Sequence, residues 1–220
     1  MKLVTASDES LLAAWRAGDT RAGEALFARH FSAVYRFFAN KAGDEAEDLA
    51  QQTFERCVAA SSGFEGRSTF RTFLFGVARN VLREHVRRRM RHRARWDDGD
   101  MPSVHDAGLS PARFVVAKRE QRVLLEALRR LPLEYQIVLE LTFWEHLTGR
   151  ELAEVLGEPE GTVRGRLRRA RRRLERELAA VAQHEGLLAS TRTDLDGWAA
   201  SLRDHLRLRR APPDRRDEPS

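Results

Sequence analysis

Apolar residues recur at three- and four-residue spacing along almost the whole of this chain, and strand signals are nearly absent: there is no long alternating Val/Ile/Thr run and no Asn-Gly hairpin turn. A chain patterned in this way can bury its apolar side chains only by packing helices on helices, so the expected fold class is all-α. The 220 residues, 42 % of them apolar, are enough for one ordinary core or two small ones.

The spacing predicts helices over about 8–17 (Leu11, Leu12, Trp15) and about 20–41 (Ala22, Leu26, Phe27, His30, Val34, Phe37, Phe38). A third covers about 44–60, burying Leu49, Thr53, Phe54 and Cys57/Val58, and a fourth covers about 69–94, burying Phe70, Phe73, Leu74, Val77, Val81 and Leu82. The loop "SSGFEGRS", residues 61–68, separates these two. From Trp96 to Pro111 the periodicity lapses into turn formers and acids, "WDDGDMPSVHDAGLSP", which reads as a flexible linker. Helices resume over about 112–130 and 133–146 (Tyr135, Ile137, Val138, Leu141, Phe143). A short helix follows, opened by the capping box Thr148–Glu151 and closed at Gly157, with Pro159 in the first turn of the next helix. The expected organisation is a helical domain 1–95, a linker 96–111, a second helical domain 112–182, and a C-terminal extension 183–220. That extension carries a short amphipathic helix (Leu195, Trp198, Leu202, Leu206) and a polar tail; its apolar stripe docks either on the chain's own domains or on a regulator.

The last predicted helix poses an electrostatic problem. "EGTVRGRLRRARRRLERE", Glu160 to Glu177, holds eight arginines around the apolar stripe Val163, Leu167, Ala170, Leu174. Arg164/Arg168, Arg168/Arg172 and Arg169/Arg173 are like-charge (i, i+4) pairs, each costing an isolated helix roughly 0.2–0.5 kcal/mol. Either the arginines coat a solvated face or they are placed for a polyanion. A short helix, a turn with glycine and a second helix with polar N-terminal residues is the arrangement of a helix-turn-helix, whose second helix enters the DNA major groove. On that reading Glu160, Thr162, Arg164, Arg166 and Arg168 lie near base edges and later arginines, such as Arg169 and Arg172, meet phosphates.

A second cationic block, "ARNVLREHVRRRMRHRAR", ends the fourth helix, with Arg79, Arg83 and Arg87 on one stripe and only Glu84 opposing it. Just upstream, Phe64, Phe70, Phe73 and Phe75 interleave with Arg67, Ser68, Arg71 and Thr72, which suits unpaired bases, although Phe70 and Phe73 are equally in phase with the core. The third helix differs: "DEAEDLAQQTFERC" sets Asp44, Glu45, Glu47, Asp48 and Glu55 beside Gln51 and Gln52. An acidic, amide-rich surface in a basic domain does not press on phosphate and points to a protein partner.

Taken in order, these segments resemble bacterial RNA polymerase sigma factors of the extracytoplasmic-function type, the smallest members of the sigma-70 family, over about residues 8–180. "AEDLAQQTF" is similar to the family's core-polymerase-binding helix, "FRTFLFGVARNVLREHVRR" to its minus-10 region, and "LPLEYQIVLEL" with "TGRELAEVLGEPEGTVRGRLRRARRRL" to the region that reads minus-35. The resemblance implies core polymerase binding by Asp48, Gln51, Gln52 and Phe54, and minus-10 contacts from the 61–68 loop (Phe64, Arg67, Ser68) with Arg71, Arg79, Asn80, Arg83 and Arg87. It implies minus-35 contacts from Glu160, Thr162, Arg164, Arg166, Arg168, Arg169 and Arg172, and an anti-sigma factor as a further partner. Two positions depart from the family pattern: Phe73 stands where many members carry Trp, and Arg164-Gly165-Arg166 where Lys-Ser-Arg is common.

No Ser/His/Asp or Cys/His set, glycine-rich phosphate loop or metal-ligand spacing is present, so neither catalysis, a cofactor nor a metal is expected. Cys57 is the only cysteine, which excludes an intrachain disulfide; with no export signal and no apolar run near the about 20 residues a membrane span requires, a cytoplasmic protein is expected. Two other functions fit parts of the pattern: an ordinary helix-turn-helix regulator, and a basic helical protein that binds nucleic acid without sequence preference.

Overall fold

The computed structural model describes residues 6–60, 66, 68–91, 103 and 119–184. Among them are eight α-helices: α1 Asp8–Arg16, α2 Thr20–Ala42, α3 Ala46–Ala60, α4 Phe70–Arg91, α5 Arg119–Arg129, α6 Leu133–Phe143, α7 Gly149–Leu156 and α8 Glu160–His184. A single 3-10 turn, Gly43–Glu45, leads into α3. The all-α expectation is met, and the boundaries lie within a few residues of the predicted ones, except that the predicted start of the fifth helix near residue 112 lies outside the described residues. Most of the linker and the extension from residue 185 onward lie outside the described residues; of the linker, Ser103 is described, buried and bridged to Pro132.

Local chemistry explains the helix starts. Ser7 accepts from the Ser10 amide at 3.2 Å to open α1, and Asp19 accepts from the Arg21 and Ala22 amides at 3.0 and 3.2 Å to open α2. The capping box at α7 forms in both directions: Thr148 Oγ1 accepts from the Glu151 amide at 3.3 Å, and Glu151 Oε2 accepts from the Thr148 amide at 2.8 Å. Gly157 ends α7 at φ +66°, a left-handed position that favours glycine. Pro159 precedes α8 rather than lying in its first turn, its carbonyl accepting from the Thr162 and Val163 amides at 2.9 and 3.1 Å.

Helices α1–α4 bury Leu11, Leu26, Phe38, Leu74, Phe75 and Leu82; α5–α8 bury Leu128, Ile137, Leu141, Leu152, Val163 and Leu174. At the α1/α2 crossing, Trp15 lies edge-on to Phe27, with centroids 5.0 Å apart, in space left by Gly23. A Cβ on Gly23 would come within 2.6 Å of the Trp15 ring. Three burial expectations change. Val58 is 47 % exposed, because a residue adjacent to fully buried Cys57 points a quarter-turn or more away from the same face. Phe73 and Val77 are only partly buried, whereas Phe75 is wholly buried: the core-facing stripe of α4 runs Phe70, Leu74, Phe75, Ala78, Val81, Leu82.

Candidate nucleic-acid and polymerase interfaces

In α8 the apolar stripe Val163, Ala170, Leu174, Leu178 packs inward, and Leu167 is partly buried against the same core. This leaves Glu160, Thr162, Arg164, Arg168, Arg169 and Arg172 exposed on the opposite side. Like-charge repulsion is relieved locally rather than removed. Arg164, 76 % exposed, pairs with Glu160 at 2.8 Å, Arg173 pairs with Glu177 at 2.9 Å, and the Arg171 guanidinium lies 4.9 Å from the centre of the Phe143 ring. Arg166 is placed differently from its neighbours: only 18 % exposed, it is held by Glu158 at 2.7 Å and approaches Glu134 at 4.0 Å. A groove between α8 and the start of α6 is lined by Pro132, Tyr135, Arg169, Arg172, Arg173 and Arg176, with Glu175 as its one acid. From sequence, Tyr135 is read only as part of an apolar helical pattern and Arg173 only as the like-charge partner of Arg169, neither as a site residue. Gly165 has no steric need to be glycine in the isolated chain, since the nearest atom to a Cβ there, Arg169 Nη1, is 3.7 Å away.

In α3, Asp48 and Gln51 are exposed, Gln52 is half-buried and Phe54 is buried. Asp44, Glu47, Gln51, Glu55 and Val58 follow one another at three- or four-residue intervals, so one exposed stripe joins acids and amide to an apolar residue. Phe54 anchors that helix from below, stacked with Phe31 at 5.8 Å and tilted against Phe27 at 5.2 Å. Glu84, the acid expected to temper the arginines of α4, instead binds Arg56 of α3 through both oxygens at 2.9 and 2.7 Å. That hydrogen bonding holds its carboxyl below the usual value.

The cations of α4 divide into two groups. Asn80 and Arg87 are exposed, and Ser68 is half-buried just before the helix; Phe64 and Arg67 lie outside the described residues. Arg71, Arg79 and Arg83 turn toward the second half of the chain. Arg71 donates to Glu145 Oε2 at 3.0 Å and to its backbone carbonyl. Arg79 donates to Glu134 Oε2 at 3.1 Å and to the Leu156 carbonyl at 3.3 Å. Arg83 Nε lies 3.3 Å from Glu134 Oε1. From α2, Arg36 pairs with Glu145 at 2.9 Å, Asn40 donates to Glu140 at 3.3 Å, and fully buried Lys41 pairs with Glu140. Burial pushes the Lys41 ammonium below its ordinary value and the Glu140 carboxyl above its own, each countered by the charge of the other.

Among the described residues no cluster of His, Cys, Asp and Glu is arranged to hold a metal ion, and no helix is long and apolar enough to cross a membrane. Two helical modules joined in sequence, one presenting a helix-turn-helix with an arginine face and the other pairing an acidic helix with a cationic one, define a class of nucleic-acid-binding protein that also has a protein-binding surface. The Sigma-70 region 2 family matches residues 26–92, and the Sigma-70, region 4 family matches residues 121–174. The ECF RNA polymerase sigma factor SigC of Mycobacterium tuberculosis is 34 % identical over 172 residues, covering 76 % of this chain and 91 % of that protein. BldN of Streptomyces coelicolor, also an ECF RNA polymerase sigma factor, is 32 % identical over 167 residues, and the match spans 74 % of this chain and 62 % of BldN. Among solved structures, CnrH in complex with the cytosolic domain of CnrY aligns at 27 % identity and a TM-score of 0.56, over 79 % of this chain and 97 % of CnrH. The sigma factor RpoE of Bartonella quintana, in complex with the anti-sigma factor NepR, shares the fold at 23 % identity and a TM-score of 0.50, over 68 % of this chain and 91 % of RpoE. The chain belongs to the sigma-70 family, in its extracytoplasmic-function branch, the factors that direct RNA polymerase to promoters and initiate transcription.

Proposed function

We propose that this chain is a promoter-specificity subunit that acts in the cytoplasm without catalytic chemistry of its own, each of its basic helices serving one promoter element. The exposed stripe of α3, with Gln51 at its centre, Asp48 and Gln52 beside it and Phe54 as its anchor, receives core RNA polymerase. Helix α4 and the segment before it (Phe64, Arg67, Ser68, Arg71, Arg79, Asn80, Arg83, Arg87) engage the minus-10 element as it opens, and bases leaving the stack are captured there. Glu160, Thr162, Arg164 and Arg168 read the minus-35 element in the major groove, while Arg169 and Arg172 grip its phosphates with release of counterions. Arg166, held by Glu158, orients the start of α8 and reaches DNA only when that pair exchanges for phosphate.

The observation that carries this reading is the order of the two sigma-70 regions along one chain, each coinciding with a module whose charge suits its role. Because CnrH was solved with the cytosolic domain of CnrY and RpoE with the anti-sigma factor NepR, an anti-sigma factor is the expected regulator. The test is to mix the chain with purified core polymerase and a genomic DNA library and to map transcript starts. The expected result is co-purification with core and starts that share two spaced motifs. Failure to bind core, or binding that directs no transcript, overturns the reading.

A further inference from the structure

A carboxylate at the head of a helix that enters the major groove works against binding, because phosphates line both edges of that groove. Most acids of the helix-turn-helix are turned to neighbours: Glu151 closes the capping box with Thr148, Glu154 pairs with Arg150 at 3.4 Å, and Glu158 holds Arg166 at 2.7 Å. Glu160 is placed otherwise. It is the first residue of α8, its side chain is 50 % exposed, and its Oε1 accepts from Nη2 of Arg164, the first arginine of that helix, at 2.8 Å. An acid in a first turn and an (i, i+4) ion pair are ordinary helix chemistry. The other side of Glu160 is not. Its carboxyl lies against Gly149, the first residue of α7, where a Cβ would come 3.2 Å from Oε1, 3.6 Å from Cγ and 3.7 Å from Cδ. The carboxylate is thus bounded by the Arg164 guanidinium on one side and by the start of α7 on another, and both members of the pair are exposed.

Donor and acceptor held side by side match one kind of base-pair edge. In the major groove a G·C pair shows the guanine acceptors N7 and O6 next to the N4 amino donor of cytosine, whereas an A·T pair shows its donor between acceptors. We infer that Glu160 and Arg164 form a single preassembled reader of one G·C pair in the minus-35 element, Arg164 donating to guanine and Glu160 accepting from cytosine N4, with Gly149 as the positioning residue that leaves room for the carboxylate. The inference rests on the assignment of α8 to the minus-35 element and names what part of it reads. Alone, Arg164 is drawn to the nearest phosphate and gives affinity without discrimination; tied to Glu160, it is kept over base edges. Glu160 in turn is tolerated among phosphates only where a base amino group donates to it. Loss of Glu160 therefore costs discrimination rather than affinity.

The full chain is assembled with core polymerase, and initiation is read from a promoter library in which every position of a mapped minus-35 element is randomised. The wild type is expected to favour G·C over the other pairs at one position by about tenfold, within the range of a good bidentate contact. E160A should cut that preference to about threefold or less at that position alone, chiefly by raising initiation on the disfavoured pairs, because the carboxylate they leave unpaired is gone. G149A, which shifts the same carboxylate, should weaken the preference at the same position. General destabilisation lowers initiation on all templates alike and gives neither pattern. A second arm changes the DNA and leaves the protein intact. N4-methylcytosine at that position, which puts a methyl group where the major-groove N–H stood, should lower wild-type initiation by about fivefold and leave E160A unaffected. Equal wild-type initiation with cytosine and N4-methylcytosine throughout the element overturns the reader even if both variants fail to fold. A folded E160A with wild-type base preferences overturns it as well, and a folded G149A with wild-type preferences overturns the positioning role of Gly149. A library that yields no core-dependent transcript overturns the sigma reading itself, which separates the two failures.

Discussion

Helices α4 and α8 are both arginine-rich, yet their charges are in opposite states. In α8 the arginines other than Arg166 stand outward, and Arg164 and Arg173 are balanced by glutamates of the same helix, Glu160 and Glu177. In α4, Arg71, Arg79 and Arg83 are held by glutamates from the other module. An arginine balanced within its own helix is available to any phosphate that approaches, because exposed (i, i+4) pairs contribute only a few tenths of a kcal/mol. An arginine sequestered by a distant segment becomes available only after a rearrangement. Charge content alone therefore says which helices are suited to DNA, and the source of the counter-charge says when.

Four changes would break or sharpen this contrast. The largest effect is expected from R164A/R168A, which removes two contacts of about 1–3 kcal/mol each and should lower promoter-directed initiation by about 100-fold or more in run-off transcription. Core binding should be unchanged; loss of core binding would mean that α8 serves another surface. Next is D48A/Q51A on the exposed stripe of α3, expected to weaken core binding by about tenfold, as ordinary interface truncations do, while leaving oligonucleotide binding by the free chain intact. Competition against wild-type factor for limiting core measures it. Third, G165A should raise the stability of the second module by about 1 kcal/mol in a thermal melt, because alanine is the better helix former and the space is open. If glycine there serves close approach of DNA, the same variant lowers minus-35-dependent initiation; a variant both more stable and equally active would remove Gly165 from the interface.

The smallest effect distinguishes the modules by pH. His30 and His85 both lie in the first module, and burial lowers both of them below 6.5, outweighing the carboxylates of Asp8 and Glu45 that act in the other direction. A group lowered in the folded state leaves stability intact above its unfolded value and removes it as pH falls through that value toward the folded one. Acidification from pH 7.5 to 5.5 should therefore loosen α1–α4 before α5–α8, visible as faster amide exchange in α2 and α4.

Much of this architecture is written in local sequence. The box at Thr148 and Glu151, the turn at Gly157 and the inward stripe of α8 all depend on residues three or four apart, where spacing and geometry are tied together. The acidic face of α3 was legible for the same reason, as a set of residues along one helix. The contacts between the modules were not. Arg79 meets Glu134 across 55 residues and Lys41 meets Glu140 across 99, and nothing in either segment alone specifies the other. Arg79 and Arg83 could be recognised as cations suited to DNA, while Glu134, Glu140 and Glu145 gave no signal beyond ordinary helix acids. The misreading of Val58 and Phe75 has a smaller cause: where Cys57/Val58 and Leu74/Phe75 place apolar residues side by side, periodicity does not decide which of each pair turns inward. The structure buries Cys57 but not Val58, and both Leu74 and Phe75.

The division of the promoter between α4 and α8 is tested most directly by tethered cleavage. Cys57 is buried and its thiol is pushed up to about 12, so it resists labelling, and an iron chelate can be attached at a single introduced cysteine. G161C places it at the start of α8, where a side chain meets nothing within 4 Å, and R88C places it on the exposed side of α4. In complex with core polymerase on a mapped promoter, the G161C chelate should cut DNA only around the minus-35 element and the R88C chelate only around minus-10. Cleavage of the same region from both positions, or of no defined region from either, would contradict the account.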